Sequence, residues 1–132
     1  MMNDDDALIE AAKVVRARAH APYSNYHVGC AVLDENGRIH NGCNVENAAY
    51  PEGICAETSA IAAMVAAGGT RIVAIAAVGG RRELEACTPC GGCRQRISEF
   101  ANRNTRIILL DDKGQPLSYT MEQLLPASFH LR

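Results

Sequence analysis

The chain has no tryptophan and only two phenylalanines and four tyrosines, so aromatics make up 5% of its residues. A core built around large rings is excluded. Packing falls to Ala, Val, Ile and Leu, within a hydrophobic share of 48% that is ordinary for a globular chain. Small residues also let elements approach closely and suit subunit interfaces. No stretch approaches the ~20 apolar residues that span a bilayer. The first six residues, Met1 to Asp6, are acidic and carry no apolar signal segment. A strong net charge is missing too: 13 Lys+Arg against 15 Asp+Glu leave −2. That argues against a polynucleotide partner, whose phosphates need a basic groove. A small uncharged or weakly charged ligand fits better. Repeats, low-complexity tracts and linkers are absent, and 132 residues read as a single domain, 1–132, with a two- or three-layer core.

Cysteine, by contrast, is plentiful. Six of them invite a disulfide reading, but without a secretory segment the chain reads as cytoplasmic. There, close cysteine pairs more often bind metal or act in redox chemistry. The most informative segments are Cys55-Ala56-Glu57 and Pro89-Cys90-Gly91-Gly92-Cys93. Cys90 and Cys93 are spaced to share one face of a helix start and grip one ion, with Cys55 closing a third position. Three thiolates hold a tetrahedral Zn²⁺ while leaving its fourth position open, the mark of a catalytic rather than a structural site. Helix N-termini would stabilise the thiolates and offset part of the net negative charge. Glu57 is carried to the metal without being needed as a ligand, so its carboxylate can move protons to and from water activated there.

Other readings stand beside this one. Cys90-Gly91-Gly92-Cys93 alone fits a redox pair. Cys87 sits one further two-residue spacing upstream, so Cys55, Cys87, Cys90 and Cys93 could form a closed structural site. That arrangement would leave Glu57 without a task. Cys30 and Cys43 read as small buried apolar residues. His20, His27, His40 and His130 read as surface or satisfied histidines.

The chain divides into helix, hairpin, helix, strand, helix, strand, strand. Asp4 to Asp6 suit the start of an amphipathic helix ending near Ala19. Tyr26 to Leu33 and Arg38 to Gly42 read as strands joined by the Asn36-Gly37 turn. Asn44 to Gly53 is loop. A helix from Cys55 to Ala67 precedes the apolar run Ile72 to Val78, which suits a strand buried on both faces. Pro89 suits the first turn of a helix reaching about Asn102. Arg106 to Leu110 is a strand, Leu117 to Tyr119 a pairing partner and Met121 to Leu125 a short helix. This is an α/β domain, three layers α/β/α, with a mixed sheet of about five strands.

Beyond the zinc signature, which is the type used by zinc deaminases, further motifs follow one another along nearly the whole chain. They are Ala21 to Gly29 (APYSNYHVG), Gly42 to Tyr50 (GCNVENAAY), Pro89 to Gln95 (PCGGCRQ) and Leu124 to Phe129 (LLPASF). Together with Cys55-Ala56-Glu57 the chain resembles cytidine deaminases of the short, homotetrameric kind with three cysteine ligands. The resemblance implies one zinc per chain, held by Cys55, Cys90 and Cys93, with Glu57 as proton shuttle. It implies hydrolytic deamination of cytidine and deoxycytidine to uridine and deoxyuridine with release of ammonia, a step of pyrimidine salvage. Asn44 and Glu46 would hold the ribose hydroxyls, Tyr26 would stack on the pyrimidine, and the Ala56 N–H would donate to the pyrimidine carbonyl. Phe129 would enter a neighbouring subunit's site. Read without the resemblance, Tyr26 and Phe129 are core aromatics and Asn44 and Glu46 stabilise their own loop.

Two departures from the family pattern matter. Thr58 stands where many members have an arginine that donates to ligand thiolates. Arg94 matches a second arginine used that way, and Arg81 or Arg82 could substitute for the missing one. Tyr26 stands where the family usually has phenylalanine, which opens a modified cytosine nucleoside or cytosine-containing antibiotic as an alternative substrate. A structural zinc or redox module and a nucleic-acid deaminase complete the rivals.

Overall fold

A computed structural model of the chain describes residues 3–131. The elements are α1 (Asp4–Arg16), β1 (His27–Asp34), β2 (Ile39–Cys43), a 3-10 turn (Tyr50–Glu52), α2 (Ala56–Ala66), β3 (Ile72–Gly80), α3 (Gly91–Phe100), β4 (Arg106–Leu110), β5 (Pro116–Tyr119) and α4 (Met121–Leu124). The strands form one sheet in the order β2-β1-β3-β4-β5. Every neighbouring pair is antiparallel except β3 and β4. A parallel pair needs a crossover, and α3 supplies it.

Alternation along the strands sorts the core into two halves. Ala31 and Leu33 of β1 join Ala74, Ala76 and Val78 of β3 under Leu8, Ile9 and Ala12 of α1. Cys30 and Val32, with Ile75, Ile107 and Leu109, face Ala60, Ile61 and Met64 of α2 and Ile97 of α3. Helices therefore cover both faces of a mixed five-stranded sheet, the three-layer α/β/α arrangement expected from the sequence. No helix among the described residues is long and apolar enough to cross a membrane.

The hairpin behaves as its sequence suggests. Gly37 takes φ 80° in the turn, a conformation that Asn-Gly favours. The buried Asp34 carboxylate accepts from the N–H groups of Asn36 and Arg38 and pairs with His40 Nε2 at 2.7 Å. His40 is thus a satisfied histidine.

Several boundaries differ from expectation by a residue or more. α1 stops at Arg16, and Ala17 to Ala19 continue only as i→i−3 turns, with Arg18 N bonded to Val15 O and Ala19 N to Arg16 O. Arg16 itself is tied down: Nε donates to His27 O and Nη2 to Gly80 O, which holds the helix end against β1 and β3. Strand β1 begins at His27, one residue after Tyr26. Pro89 precedes the cap of α3 rather than opening its first turn, because Cys90 occupies the N-cap with extended backbone.

Helix α2 lies almost directly on the backbone of β2. A Cβ at Gly42 would stand 2.3 Å from Ala60 N and 2.7 Å from Ala56 O. That contact sets how close the start of α2 comes to the sheet. Gly42→Ala should therefore destabilise the fold by roughly 3 kcal/mol, the upper range of overpacking costs. Urea unfolding measures it, and an unchanged midpoint would contradict this packing.

Candidate functional site

At one end of the sheet five segments meet: the entry to β1, the exit from β2, the exit from β3 and the first turns of α2 and α3. Cys55 is the N-cap of α2 and Cys90 the N-cap of α3, both with extended backbone and neither capping its helix by a side-chain hydrogen bond. Cys93 is the third residue of α3. Residues at the N-cap and third helical positions face each other across the first turn, as in a capping box. The two-residue spacing thus becomes a two-sulfur grip, and Cys55 arrives from the other helix.

The Sγ atoms of Cys55, Cys90 and Cys93 lie within 4.8 Å of one another, with Cys55 and Cys90 3.9 Å apart. Zn–S bonds of about 2.3 Å at tetrahedral angles put sulfurs about 3.8 Å apart, so the donor set fits zinc. Three sulfurs leave a fourth position open. Cys87 is not in the group, so among the described residues the closed four-cysteine reading has no geometric support. The sulfurs also share their protons unevenly. A hydrogen bond from Cys93 outweighs burial and draws Cys55 down to about 6, with Cys90 and the Arg96 charge assisting. Donating to Cys55 pushes the Cys93 thiol well above the ordinary range, as do burial and the Glu57 charge.

Glu57, in the first turn of α2, is 5% exposed. Burial raises it above the usual carboxylate range. Its own backbone N–H, a hydrogen bond with Cys93 and Arg96 oppose that rise, while the Cys55 charge adds to it. A carboxyl group so placed can both take and return a proton.

A cavity of about 330 Å³ opens onto the cluster, with Tyr26, Asn44, Glu46, Ala56, Glu57 and Cys87 among the residues that line it. Ala56 is the first residue of α2, where helical geometry leaves the N–H without an intrahelical partner. The Asn44 amide is a staple: Nδ2 donates to Tyr26 O and Oδ1 accepts from Val28 N, both at 2.8 Å. Glu46 accepts from Tyr23 N at 2.9 Å, from Ser24 N at 3.2 Å and from the Ser24 hydroxyl. The Ser24 hydroxyl is the main cause that lowers the Glu46 pKa, against a smaller opposing effect of burial. Burial, with help from Cys87, pushes Tyr26 up to about 12, so the ring enters the cavity as a neutral phenol.

Two of the named residues lie elsewhere. Phe129 is 68% exposed, with its backbone carbonyl accepting from Gln95 Nε2, and does not enter this chain's cavity. Arg94 donates to Pro89 O at 2.8 Å and Leu124 O at 2.9 Å. The hydrogen bonds found for it run to backbone carbonyls rather than to a thiolate, because its side chain turns toward the loop before α3. It braces the strand-to-helix loop that carries Cys90. Arg81 lies 5.9 Å from the Tyr26 ring centroid. Sequence reasoning weighed Cys87 only as a ligand, whereas it forms cavity wall. Arg96 was missed, although its place one turn after Cys93 was the available signal.

The family model for the cytidine and deoxycytidylate deaminase zinc-binding region matches residues 2–109. The chain belongs to this deaminase family. A cytidine deaminase of Sporosarcina psychrophila is 40% identical over 126 residues, 96% of this chain and 91% of that protein. The crystal structure of cytidine deaminase from Burkholderia pseudomallei has 40% identity and a TM-score of 0.86, covering 97% of this chain and 100% of that one. That from Mycobacterium leprae has 42% identity and a TM-score of 0.80, covering 95% and 99%. The mixed sheet and the zinc-compatible cysteines are thus those of a deaminase.

Since Cys87 stands outside the sulfur cluster, Cys87→Ser should retain one zinc per chain. Metal analysis after exhaustive dialysis checks this, and loss of the zinc would restore the four-cysteine site.

Proposed function

We propose that this chain catalyses the zinc-dependent hydrolytic deamination of cytidine and deoxycytidine, giving uridine and deoxyuridine with release of ammonia, as a step of pyrimidine salvage in the cytoplasm. The observation that carries the reading is the buried Glu57 carboxylate beside three converging thiols on the floor of a nucleoside-sized cavity. A metal held by Cys55, Cys90 and Cys93 supplies Lewis acidity that makes water reactive at neutral pH.

The protein's own groups do the rest. Glu57 takes a proton from the attacking water as the new C–O bond forms at C4. It delivers that proton to N3 and then helps protonate the departing amine, so the C4–N bond breaks with ammonia as leaving group. The unpaired Ala56 N–H donates to the pyrimidine carbonyl, and Tyr26 stacks on the ring. Glu46 accepts from ribose hydroxyls, and the second Nδ2 hydrogen of Asn44 is available to the same sugar. Among the described residues lining the cavity there is no Lys or Arg, while Glu46 and Glu57 are acidic. An uncharged nucleoside is therefore favoured over a nucleotide, whose phosphate would enter a cavity that carries two carboxyl groups and no cation in its lining.

All 132 residues serve as one deaminase domain, and the working form is a homotetramer with shared sites. The 68% exposure of Phe129 supports this, since a large exposed aromatic near the chain end suits a neighbouring subunit. The Tyr26 hydroxyl gives a modified cytosine nucleoside some standing as an alternative substrate.

Ammonia release from cytidine, deoxycytidine, cytosine, cytidine monophosphate and adenosine tests the reading. Turnover of the first two alone is expected, and Glu57→Ala should cut it by about 10²–10⁴-fold or more while keeping zinc. Silence on all five from a zinc-loaded protein, or an active Glu57→Ala, would overturn it. Asn44 staples β1 through both ends of its amide, so sugar recognition is tested at Glu46, where glutamine keeps an oxygen to accept from the Tyr23–Ser24 turn. Glu46→Gln should raise KM for cytidine about 10- to 100-fold, the worth of a hydrogen bond to a charged group, and leave any turnover of free cytosine nearly unchanged. Equal losses on both would remove Glu46 from the sugar.

A further inference from the structure

The metal centre concentrates negative charge. Three thiolates around Zn²⁺ sum to −1, and the buried Glu57 adds another charge when ionised. Burying that much charge of one sign is costly unless a cation stands nearby. The N-termini of α2 and α3 contribute partial positive charge. The guanidinium of Arg94 is committed to the carbonyls of Pro89 and Leu124, and that of Arg81 lies over Tyr26.

Arg96 is differently placed. It sits three residues after Cys93 on α3, and its guanidinium folds back to the start of its own helix. A Cβ at Gly92 would be 3.0 Å from Arg96 Nη1 and 4.0 Å from Cζ. Gly92 lies between the two α3 sulfur residues, so the guanidinium lies against the Cys90–Cys93 turn. A groove of about 400 Å³ between α2 and α3 is lined by Arg96 together with Thr58, Gln95, Glu99 and Phe100. Thr58 follows Glu57 directly, and its short side chain leaves the groove open to a long one from α3. Glu99 lines the same groove, yet the ion pairs among the described residues are Arg38–Asp34, His40–Asp34 and Arg106–Asp5, so Arg96 is not neutralised by it.

We propose that Arg96 is a positioning residue of the metal centre: lying against the Cys90–Cys93 turn, its guanidinium counterbalances the cysteine cluster and strengthens its hold on zinc. The inference deepens the zinc reading above. It acts by charge, so lysine can stand in for arginine, and it acts from an exposed position, so salt weakens it. Groups that neighbour metal ligands commonly change metal affinity when replaced.

The test is competition for zinc between the purified protein and a chromogenic chelator, at low and high salt, for wild type, Arg96→Gln and Arg96→Lys. Thermal melts confirm that each variant is folded. Arg96→Gln should bind zinc about tenfold more weakly at low salt or worse. Arg96→Lys should keep most of the affinity, and salt should bring wild type toward the glutamine variant. Wild-type affinity in Arg96→Gln would overturn the proposal, as would equal weakening in both variants. Should the glutamine variant fail to fold, the wild-type salt series decides: affinity indifferent to salt overturns the proposal. None of these arms needs substrate. A protein that shows the zinc effects but releases no ammonia from cytidine would sustain this inference and remove the substrate reading alone.

Discussion

Two helices begin at one point, and the remainder of the site depends on that convergence. Helix starts supply free N–H groups and positive partial charge, and both favour thiolates. Cys55 and Cys90 occupy the two N-caps and Cys93 completes the first turn of α3, so the sulfurs meet without any long side chain having to be ordered. The sheet holds the two starts in place. β2 approaches α2 at Gly42, and β3 and β4 pair in parallel only because α3 crosses between them. The metal centre is therefore a consequence of topology as much as of three cysteines.

The same arrangement governs proton chemistry. Glu57 follows the Cys55 cap by two residues, so the helix that brings the ligand also brings the carboxyl group. Burial makes that carboxyl reluctant to ionise, while the helix start and nearby hydrogen-bonding groups pull the other way. A group balanced between these pressures suits repeated proton transfer better than a free carboxylate does. Around it, the loop residues that line the cavity also order it. Asn44 ties the entry of β1, and Glu46 gathers the Tyr23–Ser24 turn, so that side of the cavity is ordered in advance. Such preorganisation reduces what substrate binding must immobilise.

Most of the fold was legible because its signals are local. The apolar run of β3, the Asn36-Gly37 turn and the Ala-rich α2 each carry their structure in adjacent residues. The zinc-compatible cysteine cluster was legible because spacing and helix starts coincide. What escaped depends on tertiary direction. Arg94 and Arg96 are two residues apart on one helix, yet Arg94 turns to backbone carbonyls and Arg96 to the turn bearing the sulfurs, and no spacing rule distinguishes them. The early end of α1 likewise follows from the hold of Arg16 on distant carbonyls. Pro89 suited a first helical position by composition, but the N-cap was needed for a sulfur.

The most direct measurement is titration of metal-free protein with zinc while ammonia release from cytidine is followed. Activity should rise linearly and break at one equivalent of zinc per chain. Full activity before zinc is added, or a break at any other ratio, would contradict a single three-cysteine centre as the seat of catalysis.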